Sequence, residues 1–155
     1  MEKIIKEMKS LSKFIGFLGV LQILNLLASI NDIKNMDISV LGSMDFASLG
    51  IADSTALSIV KVMSVVPVVL GALILFYLCI KGHKEANDPS PAKIHIVLAV
   101  ICAVFYAIAA IAALASLFSN TTDLVMTILE IVIAAADAVL LFFYFQYARK
   151  IRTAE

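Results

Sequence analysis

From position 94 to position 118 the chain carries no aspartate, glutamate, lysine or arginine, and a stretch like that folds in very few ways. The hydrocarbon core of a bilayer is about 30 Å thick and takes roughly 20 apolar helical residues to cross. Inside lipid a backbone must satisfy its own hydrogen bonds, so a run of this length is read as a helix. Three further stretches qualify, at 14–30, 56–80 and 124–147, the second carrying one lysine and the last two acids. Composition agrees, with 62% hydrophobic and 15% charged residues, where soluble domains carry about a quarter charged. The expected fold class is all-α and integral to the membrane: a four-transmembrane-helix bundle forming one domain over residues 1–155. Around the spans lie an N-terminal arm at 1–13, an outer loop at 31–55 and an inner loop at 81–93.

The first apolar run begins after lysines, as a secretory signal does, but it passes through Gln22 and Asn25 and shows no small-x-small cleavage site. It is expected to be a retained span. Basic residues in short loops set the orientation of membrane proteins. Lys3, Lys6, Lys9, Lys13, Lys81, Lys84, Lys93, Arg149, Lys150 and Arg152 fall on one side of a four-span arrangement, while Asp32, Asp37, Asp45, Asp53 and Asp123 fall on the other. Both termini and the 81–93 loop are therefore expected in the cytoplasm. Missing cysteines in the exported loop suit a prokaryotic plasma membrane.

The arm at 1–13 alternates Ile4, Ile5, Met8 and Leu11 with Lys3, Lys6, Glu7, Lys9 and Lys13, the pattern of an amphipathic helix lying in the membrane interface. The outer loop writes one eight-residue unit twice, MDISVLGS then MDFASLGI. In an extended chain both copies present the same faces, and Gly42-Ser43 suits a two-residue hairpin turn. Such a hairpin would set Met36, Ile38 and Val40 beside Met44 and Phe46. It is expected to cap the outer helix ends or to offer a strand edge to a partner; a short helix fits the same pattern.

Ionisable groups inside the spans cost roughly 2.5–3.5 kcal/mol each on insertion scales and are functional by default. Counted inward from the outer surface, Lys61 and Glu130 lie at one depth, about 8–9 Å in, which predicts an ion pair. Asn25 and Gln22 join that layer. Asp137 lies deeper, about 20 Å in, with no basic residue at its level and with Tyr106 available as a hydroxyl donor. A carboxyl so placed is expected to sit uncharged and hydrogen-bonded, either as a packing element or as a proton- or cation-binding step. Its stripe, with Glu130, Ala134, Leu141 and Tyr144, should face protein or water.

Small residues recur at helical spacing as Ala99, Ala103 and Ala107, as Ala109 and Ala113, and as Ala134 and Ala138, and such faces allow helices to approach closely. Catalytic signatures are missing. Cys79 and Cys102 form no Cys-x-x-Cys pair, and His83 and His95 stand without metal-ligand spacing. His83, Glu85 and Asp88 read as a solvated loop, and nothing offers a nucleotide site. The expectation is a non-enzymatic chain without cofactor, metal or nucleic-acid partner. Its partners would be the lipid bilayer and another protein, or a second copy, met through small-residue faces and the outer loop. An accessory subunit or an immunity or envelope factor would fit. The alternative is a small transporter or channel component using Asp137 and Glu130.

Overall fold

The computed structural model describes residues 2–41, 50–88, 93–117 and 124–153. These fold into helices α1 (Glu2–Asn35), α2 (Asp53–Glu85), α3 (Ile94–Ser116) and α4 (Leu124–Thr153), with one 3₁₀ turn at Ile38–Leu41. Among the described residues there is no strand. All four helices are long and apolar enough to span a membrane. At 34 residues α1 is about 51 Å long, and α2 and α4 are nearly as long, so each outruns a hydrocarbon core of about 30 Å. Pro67 sits inside α2 without ending it.

The chain divides into two compact units. Unit one comprises residues up to Leu18 and from Leu75 onward, so it holds the start of α1, the end of α2, and all of α3 and α4. Its core is a seam of residues three and four apart on each helix. Met8, Leu11, Ser12 and Ile15 come from α1, and Leu75, Leu78, Gly82 and Glu85 from α2. His95, Ile96 and Ala99 come from α3, and Asp137, Leu141, Tyr144, Ala148 and Ile151 from α4. This spacing keeps one narrow face of a helix turned inward. Away from the seam large apolar side chains stand outward, Phe105 at 68% and Ile111 at 66% exposed, a pattern that water would penalise and lipid does not.

The seam is densest where α1 begins and α2 and α4 end, and the N-terminal arm is part of it. The arm at 1–13 is continuous with the first span: α1 runs unbroken from Glu2, and Met8 and Leu11 are buried against protein. Close approach there depends on glycine. A Cβ at Gly16 would stand 2.7 Å from Cys79 Sγ, and one at Gly82 would stand 2.5 Å from the Tyr144 ring and closer still to Ser12 Oγ.

Unit two, Gly19–Ile74, holds the rest of α1, the 3₁₀ turn and the start of α2. Here the structure corrects the extended reading of the first repeat copy. Ile38–Leu41 curls into a single 3₁₀ turn, because the Asp37 carboxylate accepts from the Ser39 amide at 2.9 Å and from the Ser39 hydroxyl. An aspartate bonding two residues ahead favours a turn over a strand. The Ser39 hydroxyl, and then its amide, hold the Asp37 carboxyl below its usual range. Leu41 and Ala56 are buried, and Gly50, at φ 71°, takes the left-handed conformation just before α2. The expected turn at Gly42-Ser43, with Met44 and Phe46 beyond it, lies outside the described residues.

Candidate functional site

The α4 seam carries a buried acid. Asp137 is 2% exposed and shares its face with Leu141, Tyr144 and Ala148, because residues three, four, seven and eleven apart on a helix fall on one side. The predicted stripe is thus realised at Asp137, Leu141 and Tyr144, while Ala134 is half-buried and Glu130 exposed. Asp137 Oδ1 is buried with no hydrogen-bond partner among the described residues, and Tyr106 is half-buried. Leaving a buried acceptor unsatisfied costs about 1–3 kcal/mol.

A second polar group closes the seam at the far end of α4, and sequence reasoning missed it. Glu85, at the last turn of α2, is 1% exposed. Its Oε1 accepts from Arg152 Nε, and its Oε2 stands 3.4 Å from His95 Nε2, within ion-pair reach but outside hydrogen-bond alignment. The His95 ring meets the Tyr144 ring edge-on, with centroids 6.2 Å apart at 89°. The Tyr144 hydroxyl is buried and makes no hydrogen bond among the described residues. Ser12 completes the group, donating to the Met8 carbonyl at 2.8 Å. One carboxylate thereby joins three helices.

Glu85 was expected in a solvated loop, and the structure corrects this. His83 and Asp88 are exposed, but α2 continues past the apolar run and carries Glu85 inward. The signal was the spacing 75, 78, 82, 85, which extends the seam beyond Lys81.

The other candidates belong to unit two, apart from Glu130. Lys61 donates from Nζ to the Lys34 carbonyl at 2.8 Å, satisfying an acceptor at the end of α1 where a cation is favoured. Asn25 is exposed and Gln22 half-buried. In the outer loop Met36 is half-buried and Ile38 is 54% exposed. The alanine rows separate clearly. Ala99 is buried in the seam; Ala103, Ala107 and Ala138 wall a groove of about 450 Å³ between α3 and α4. Ala109 faces outward and Ala113 is half-buried, while Ala112 and Ala115 on the same helix are exposed. No family model, curated protein or solved structure matches the chain.

Proposed function

We propose that this chain is a multi-pass protein of a prokaryotic plasma membrane, with both termini cytoplasmic, that works by binding another membrane protein or a second copy of itself. The observation that carries this is the outer half of α3. This helix is the most apolar of the four, only 11% of its apolar stretch is buried, and Ala109, Ala112 and Ala115 stand exposed along it. Between helices in lipid, association is driven by close packing, which small residues permit. An accessory subunit or an immunity or envelope factor needs such a face and no catalytic group. Purification in mild detergent should give a particle heavier than one chain, and Ala109→Leu with Ala112→Leu should reduce it to the single chain while the melting temperature holds. A wild-type particle that is already monomeric, with no stoichiometric partner, would defeat this reading.

Asp137 favours a second reading, a small proton- or cation-coupled transporter or channel component. A carboxyl kept in the seam without a hydrogen-bond partner at Oδ1 among the described residues weakens packing, and such a cost is retained where the group does chemistry. Proteoliposomes carrying the wild-type chain would then pass protons or cations, and Asp137→Asn would stop the flux without unfolding the protein. Absence of flux under every imposed gradient would remove this reading.

A further inference from the structure

The groove between α3 and α4 runs on into polar side chains. Its apolar part is walled by Val100, Ala103, Ala107 and Ala138 and floored at one end by Phe142 and Phe145. The same two phenylalanines open a second recess of about 480 Å³, whose remaining walls are Gln146, Arg149, Lys150 and Thr153. The two recesses therefore meet at Phe142 and Phe145, whose rings lie 6.5 Å apart. Along α4 the trough is apolar from Ala138 to Phe145 and polar and cationic from Gln146 on. Every residue of it belongs to unit one.

We propose that this trough binds one anionic phospholipid, an acyl chain lying between α3 and α4 and the headgroup phosphate held at Arg149 and Lys150. Charge and length select this occupant. Arg149 and Lys150 are exposed, and neither has a carboxylate within ion-pair distance among the described residues; Lys150 instead lies over the Tyr147 ring at 5.8 Å. A guanidinium beside an ammonium suits a phosphate, the first by its fork of donors and the second as a point charge. Both follow directly on the apolar part of α4. The apolar walls run about 10 Å along the helix from Ala138 to Phe145, which fits inside the roughly 15 Å of one leaflet. A partner helix would be about 10 Å wide and would run the full thickness, where this trough turns cationic instead. Small side chains at Ala103, Ala107 and Ala138 leave space for a chain of methylenes, each worth burying.

The test uses the full chain purified in a neutral detergent, with phosphatidylglycerol or phosphatidylcholine bearing the same two oleoyl chains as probes. Native mass spectrometry should retain one phosphatidylglycerol per chain, and this lipid should raise the melting temperature where phosphatidylcholine does not. Arg149→Gln with Lys150→Gln should cut the preference by about 30-fold, as expected for two basic contacts to an anionic headgroup. Lys3→Gln with Lys6→Gln should leave it unchanged. Ala107→Leu, at an exposed wall position, should weaken binding of the lipid while the melting temperature without lipid stays put. Equal binding of the two lipids would overturn the proposal, as would an equal loss from the Lys3 and Lys6 changes. So would a full response to inorganic phosphate alone. A dimer in neutral detergent that Ala107→Leu takes apart would assign the trough to a second copy and overturn it as well.

Discussion

Gly82 is the position where one added methyl group has nowhere to go. Its Cβ would meet the Tyr144 ring at 2.5 Å and the Ser12 hydroxyl closer still, and both of those side chains are fully buried. Gly82→Ala is expected to lower stability by about 1–3 kcal/mol through overpacking, read as a drop in melting temperature in detergent; Ser12→Gly in the same chain should recover part of the loss. Asp137 makes the opposite case. Its Oδ1 is buried without a partner among the described residues, so Asp137→Leu, which removes the unsatisfied acceptor and keeps the branching of the side chain, should raise the melting temperature by removing a cost of about 1–3 kcal/mol. A lowered melting temperature would mean that the carboxyl has a partner in the working protein. Asp137 was legible in the sequence because an acid amid apolar residues stands out. Gly82 was not, because the cost of a Cβ depends on which ring lies opposite.

At the scale of elements, the seam on α4 could be read from the spacing of 137, 141 and 144, since a helix sorts residues by period whatever surrounds them. Two elements resisted for physical reasons. The first copy of the repeated loop unit has a period of two that suits a strand, but the Asp37 side chain competes for the local backbone and curls it. The end of α2 was hidden because hydropathy falls at Lys81 while the buried face continues to Glu85. Glu85 now ties α2 to His95 of α3 and Arg152 of α4. Removing one member of a buried ion group leaves its partner uncompensated, so Glu85→Ala should cost about 3–5 kcal/mol, whereas Glu85→Leu with Arg152→Met should recover most of it. Thermal unfolding of the single and double variants checks this, and additive losses would show that the tie contributes nothing.

Across the whole molecule, length and apolar character are what the sequence states most plainly. Four helices long enough to span follow from them, and all four are present. The interior was less plain, since an apolar residue in the core and one on the outside of the helices look alike in a sequence; Ala99 is buried and Ala109 exposed only because of which way their helix turns. The central claim is that the chain crosses a membrane with its basic end in the cytoplasm. Single cysteines at Ser54 and Asn87, both exposed, offered to an impermeant thiol reagent in intact cells and again after lysis, test it most directly. Cysteine at 54 should react in intact cells, and cysteine at 87 only after lysis. Labelling at 87 in intact cells would contradict the account, whether or not 54 reacts too.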